Sequence, residues 1–385
     1  MLKVSENIYY VGASDKHLDL FESHFIVPNG MAYNSYVILD EKIAVMDSID
    51  EKLGDEWLKN VKEVLKGRKP DYLVIQHMEP DHSANIFKLV DEYPDVTLVG
   101  GEMTFNMLSN FHRGKTFKNK LVIKEGDELS LGKHTLKFVF APMVHWPEVF
   151  VSFEKSEGIL FSADAFGKFG AFDYEEDWAC EARRYYFGIV GKYGLQVQML
   201  LKKAANLDIK MICPLHGPIL KENLGYYLGL YDKWSKYEPE VDGVFIAYTS
   251  VYGHTKAVAL EIVEKLKAKG CPKVSTCDLS REDMYEAVED ANKFGKIILG
   301  TTTYNMSIFP HMNEFLTALV ERNWQNKKVG FIQNGSWAPV SGKLMKEKLA
   351  NCKNLVFVEP MVNLVSSKSD ANEKEIDALV EAMLK

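Results

Sequence analysis

Cysteine is scarce in this chain: five residues (Cys180, Cys213, Cys271, Cys277, Cys352) in 385, odd in number, widely spaced and without a CxxC pair. That pattern argues against a disulfide frame, an iron–sulfur centre or a fused rubredoxin module, so any metal must rest on histidine and carboxylate. Long apolar runs are missing too. No stretch approaches the roughly 18 apolar residues of a membrane span, and "MLKVSENIYYVGASDKHLDL" has no basic region followed by an apolar core. The expectation is a cytoplasmic chain without a membrane partner. Charge of one sign is also lacking: 54 acidic against 46 basic side chains give −8, with no lopsided tail, so no nucleic-acid surface is expected.

At this length two or three domains are expected, and the texture changes near a proline-bearing acidic segment at Glu238 to Gly243. Before it, short strands and loops mix with helices such as "GDEWLKNVKEVLKG" and "YGLQVQMLLKKAANL", which predicts a two-sheet core flanked by helices. After it, strands and helices alternate strictly from "GVFIAYTS" to "NEKEIDALVEAMLK". That alternation predicts one doubly wound parallel sheet of five strands. The expected division is 1–241 and 242–385.

What the first part contains is a set of charged strand ends. "DYLVIQHMEPDHSANIF" reads as a strand running into the first turn of a helix, with His77, Glu79, Asp81 and His82 on the loop between. "LKFVFAPMVHW" ends on His145, "GILFSAD" on Asp164 and "DIKMICPLHG" on His216. One histidine at a strand end is usually structural. Seven such groups converging without a cation would repel or stay unsatisfied. Four neutral imidazoles and three carboxylates, with one bridging hydroxide, balance two divalent ions; the carboxylate share suits iron or manganese, and Asp164 is the natural bridge.

In the second part, "AYTSVYGHTKAVALEIV" sets hydroxyls and a glycine between strand and helix, a cradle for a single phosphate. It has no GxGxxG and no Walker lysine, which argues against a dinucleotide or a nucleoside triphosphate. "GTTTYNMSIFP" and "IQNGSWAPVSGK" add Tyr304 and Trp337, able to stack on or edge a flat ring.

His77-x-Glu79-x-Asp81-His82 with "PMVHWPE", "SADAFG" and "PLHGP" resembles the metallo-β-lactamase fold in the variant carried by flavodiiron proteins. Hydrolases of that superfamily usually have a second histidine where Glu79 stands. The resemblance implies an N-terminal metallo-β-lactamase-like αββα sandwich. One iron would be bound by His77, Glu79 and His145, the other by Asp81, His82 and His216, with Asp164 and an oxo or hydroxo group as bridges. The later loops resemble the FMN loops of flavodoxins: Thr249, Ser250, Val251, Tyr252, Gly253, His254 and Thr255, then Thr301, Thr302, Thr303, Tyr304 and Asn305, then Asn334, Gly335, Ser336 and Trp337. The third departs from the family, which often has Ser-Tyr-Gly-Trp there.

Together these features imply an oxidoreductase reducing dioxygen to water, nitric oxide to nitrous oxide, or both. The resemblance to flavodiiron proteins further implies rubredoxin or another reductase as donor, and a head-to-tail homodimer or a dimer of dimers as the assembly. His24 and Tyr193 are candidates for hydrogen bonds to the bound oxygen species. Two alternatives stay open at the sequence level: a zinc-dependent hydrolase fused to a flavodoxin-like domain, and an electron-transfer or sensing protein with a vestigial metal site.

Overall fold

Alternation and apolar spacing account for most elements of the computed structural model, which describes residues 2–385. Packing divides the chain into two units. The first runs from the N-terminus to Tyr186 and from Leu195 to Asp232; the second comprises Phe187–Gly194 and Lys233–Lys385. Among the described residues no helix is long and apolar enough to cross a membrane.

The first unit holds two sheets. Seven strands lie in the order Leu2–Lys3, Ile8–Tyr10, Tyr36–Ile38, Ala44–Met46, Tyr72–Val74, Thr97–Gly100 and Asn119–Val122. Five more follow as Glu128–Ser130, Thr135–Phe140, Phe150–Glu154, Ile159–Phe161 and Met211–Cys213. Ile38, Met46, Val74 and Val99 of one sheet and Phe138, Phe150, Ile159 and Phe161 of the other share one buried cluster, each such side chain stabilising by about 1.5–3 kcal/mol. Helices cover this sandwich by the same logic. In Gly54–Leu65, Trp57, Val61, Val64 and Leu65 fall on the buried stripe, and the left-handed Lys66 (φ 48°) ends the helix.

A polar tie joins the turn after Tyr36–Ile38 to the hairpin of the second sheet. Burial alone would raise the Asp40 carboxyl, but N–H groups of His134 (backbone at 2.7 Å, Nδ1 at 2.8 Å) and Glu41 (2.8 Å) hold it down at about 2. A carboxyl with a depressed folded pKa stabilises above its unfolded value of about 4, and that gain is lost as pH falls through the folded value. Asp40→Asn is expected to cost about 1–2 kcal/mol at neutral pH. In urea melts the gap from the parent protein should close between about pH 4 and pH 2.

The second unit is a parallel sheet in the order Val274–Asp278, Val241–Tyr248, Phe294–Tyr304, Lys328–Asn334 and a last strand in two pieces. Val356–Phe357 and Val362–Leu364 both pair with Lys328–Asn334. Pro360 lies between them and has no N–H for the ladder. Strand order reverses between Val241–Tyr248 and Phe294–Tyr304, and a crevice opens past their carboxyl ends.

Candidate metal centre and flavin cleft

The metal-ligand candidates are held by short turns immediately past strands. After Tyr72–Val74 the chain is caught by Asp47, whose Oδ1 accepts the N–H groups of Gln76 (2.7 Å) and His77 (3.3 Å). The sequence placed Asp81 and His82 on a loop; they lie in a single helical turn, Pro80–Ser83, begun by a proline that needs no hydrogen bond there. Ser48 fixes that turn by donating from N (3.0 Å) and Oγ (2.8 Å) to the His82 carbonyl. Asp47, Met143 and Ala163 all have positive φ near a ligand candidate, a costly backbone that the surrounding packing must enforce. Gly217 (φ +77°) follows His216, and a Cβ there would meet Lys168 Cγ at 2.7 Å.

These turns bring the seven residues together as two groups. In one, Glu79 Oε2 lies 3.2 Å from His77 Nε2 and 3.0 Å from His145 Nε2, while Asp164 Oδ2 lies 3.4 and 3.0 Å from the same nitrogens. In the other, His82 Nε2 lies 3.0 Å from His216 Nε2, and Asp81 Oδ2 is 3.3 and 3.4 Å from the two. Asp164 Oδ1 is 3.2 Å from His82 Nε2. One carboxylate thus offers one oxygen to each group. His77, His82, Asp164 and His216 are fully buried, and Glu79, its side chain 14% exposed, is the most open of the set.

The donor chemistry fits two cations. Both oxygens of Asp81 and Oδ1 of Asp164 are buried without a hydrogen-bond donor, which is costly unless a cation satisfies them. His77 donates Nδ1–H to Glu148 Oε1 (2.8 Å) and His216 donates Nδ1–H to the Ala32 carbonyl (2.7 Å), leaving both Nε2 lone pairs aimed inward. Burial disfavours the imidazolium, yet Asp164, Glu148 and Glu79 hold His77 well above the usual histidine range. Against the same desolvation His145 rises to about 9, with Asp164 and Glu79 as causes. Burial would raise Asp164, but His77 and His82 hold it well below the carboxylate range. The cluster takes up positive charge by whatever means it has, and metal ions compete with protons for it.

Aromatic rings close the surroundings. Trp146 meets His77 edge-on at 5.3 Å, and Phe21 and Tyr185 each lie 5.5 Å from the His216 ring. His24 is exposed in the turn between Leu20–Phe21 and Phe25–Ile26, its ring 5.1 Å from Phe25. Tyr193 ends the short turn Gly191–Tyr193, which packs with the second unit. Sequence reading missed Glu148, Asp47 and the Ala32 carbonyl. A carboxylate three residues after His145 was the one available signal.

In the second unit the three loops meet at the strand ends. A cavity of about 190 Å³ at the start of helix His254–Ala268 is lined by Ser250, Val251, Tyr252, His254, Thr255, Thr302, Asn334 and Ser336, joined by Ser366, which the sequence did not single out. Beside it an aromatic cleft of about 370 Å³ is lined by Thr303, Tyr304, Asn305, Gly335 and Trp337, and also by Met306. Thr249 and Thr301 are buried and share a 2.6 Å hydroxyl contact. Gly253 (φ +94°) precedes the helix, its N–H donating to Ser250 Oγ at 3.1 Å. Tyr252 and Trp337 are 90% and 89% exposed. A hydroxyl-lined helix start beside an aromatic cleft fits a phosphate attached to a flat ring.

Residues 31–217 match the family model described as ODP family beta lactamase, and residues 245–374 match a flavodoxin domain model. A nitric oxide reductase of Moorella thermoacetica is 30% identical over 368 residues, 93% of this chain and 91% of that protein. Rubredoxin oxygen:oxidoreductase of Desulfovibrio gigas superposes with a TM-score of 0.93 at 25% identity, covering 100% of this chain and 97% of that one. The flavodiiron protein of Giardia intestinalis superposes with a TM-score of 0.92 at 23% identity, covering 99% and 95%. With two domain models along it and a relative 30% identical over nearly the whole of both chains, the chain belongs to the flavodiiron protein family.

Proposed function

We propose that this chain reduces dioxygen to water, nitric oxide to nitrous oxide, or both, at two irons, with FMN supplying the electrons. One iron would be held by His77, Glu79 and His145, the other by Asp81, His82 and His216. The observation that carries this reading is Asp164, whose two oxygens face the two groups separately. Two ferrous ions and a reduced flavin together hold four electrons, the number dioxygen needs, while two nitric oxide molecules need two. The protein's own part is placement. Its rings exclude bulk water, its Nδ1–H donors fix the imidazoles, and Tyr185, kept protonated by burial beside Asp164 and Glu79, retains an O–H to donate. Three carboxylates among the ligands and the flavin cleft of the second unit argue against a zinc hydrolase.

The electron donor is assigned as a rubredoxin-class protein, the partner in the Desulfovibrio gigas relative's name. The assembly is assigned as a head-to-tail dimer. Supporting it, the exposed Tyr252, Met306 and Trp337 rim the flavin cleft, and Phe111, 48% exposed, stacks on Trp146 beside His77. Each is an apolar surface a second copy would cover. The test is to mix reduced, iron-loaded protein anaerobically with each gas and follow flavin reoxidation. Fast reoxidation is expected with at least one gas, and the ratio of rates selects the substrate. Slow reoxidation by both would overturn the reading.

A further inference from the structure

We propose that Glu148 makes the two metal positions unequal, so that the position built by His77, Glu79 and His145 binds its ion more tightly than the one built by Asp81, His82 and His216. This rests on the two-ion reading above. Glu148 is 2% exposed, and its Oε1 accepts both His77 Nδ1–H and the Met78 N–H at 2.8 Å. Its other oxygen has no hydrogen-bond donor. Among the described residues no carboxylate accepts an Nδ1–H behind the other position; the buried Asp47 carboxylate acts on His82 through space and is itself engaged by N–H groups of Gln76 and His77. His216 leans on a neutral carbonyl, and His82 Nδ1 is buried without a hydrogen-bond partner.

Two effects favour the His77 side. A carboxylate accepting Nδ1–H draws on that proton and makes Nε2 a stronger donor to a metal. It also adds a negative charge one imidazole away from the ion, in an interior where solvent screens weakly. Glu79, Glu148 and half of Asp164 therefore serve one ion; Asp81 and half of Asp164 serve the other, with Asp47 acting on His82 through space and not through its Nδ1. Second-layer carboxylates of this kind typically change metal affinity by about 10–100-fold. Glu148 acts through His77 and is a positioning residue.

The test uses full-length, FMN-bearing protein loaded with Co²⁺ and titrated with a chelator while the cobalt absorption is followed. The parent protein should release two ions in separate steps. Glu148→Gln keeps an acceptor for both N–H groups and removes only the charge. It should weaken the tighter step by about 10–100-fold and leave the looser one unchanged. A purely structural role would leave both steps in place, because the hydrogen bonds survive. Should that variant fail to fold, half-site proteins test the ranking, and Glu148→Asp tests its cause: Asp81→Asn, which spares the His77 position, should hold its remaining Co²⁺ about 10–100-fold more tightly than Glu79→Gln, and Glu148→Asp, which keeps the charge but shortens the reach to His77 Nδ1, should weaken the tighter step alone. Equal half-site affinities, or steps that stay put or move together in Glu148→Gln, would overturn the inference. Release of a single ion from the parent would instead overturn the two-ion reading, and this inference with it.

Discussion

Asp164→Ala is expected to lose nearly all bound metal and to slow gas-driven flavin reoxidation by at least about 100-fold, with FMN retained at the parent level. Its oxygens lie 3.0 and 3.4 Å from His145 and His77 Nε2 on one side and 3.2 Å from His82 Nε2 on the other. No other of the seven residues reaches both groups in this way, so one substitution strips both positions. The fold should tolerate it. Asp164 is buried, and without it His77 and His145 lose a group that holds them protonated, so burial returns them to neutral imidazoles and strands no charge. Metal analysis, flavin absorbance and circular dichroism on one preparation separate the outcomes. Persisting gas reduction would show that Asp164 is not the shared ligand.

The complementary lesion is Ser250→Ala with Thr255→Val, expected to weaken FMN by about 100-fold or more while metal content stays at the parent level. Ser250 Oγ accepts the Gly253 N–H, and Thr255 Oγ1 accepts Asn334 Nδ2–H at 3.3 Å, beneath the cavity at the helix start. Hydrogen bonds to a charged phosphate each contribute roughly 1.5–3 kcal/mol. Losing two removes more than the tenfold that each 1.4 kcal/mol represents. Equilibrium dialysis of FMN reads the loss directly, and saturating FMN should restore gas reduction. Asp164→Ala would not respond to added FMN, so the two variants fail in opposite ways.

The seven ligand candidates were legible in the sequence because each follows an apolar run, and the physics of stranding a charged group at a strand end is local. The parallel sheet was legible for a similar reason, since alternating strand and helix periods leave few topologies. Glu148 was not. In "HWPE" it looks like any solvated acid, and its role depends on the chain returning to His77 across 71 residues. The hairpin Leu20–Phe21/Phe25–Ile26 has strands of two residues each, too short to carry a period. Ser366 lines the cavity at the helix start from just past Val362–Leu364, the second piece of the split last strand, a detail of pairing rather than of composition. Asp81 and His82 were placed on a loop because a single helical turn has no apolar stripe to reveal it.

The most direct measurement is anomalous X-ray scattering at the iron edge from crystals of the anaerobically iron-loaded protein. Two iron peaks are expected, one beside His77, Glu79 and His145 and one beside Asp81, His82 and His216, with the Asp164 carboxylate between them. A single peak, zinc in place of iron after reconstitution, or Asp164 turned away from both ions would contradict that arrangement.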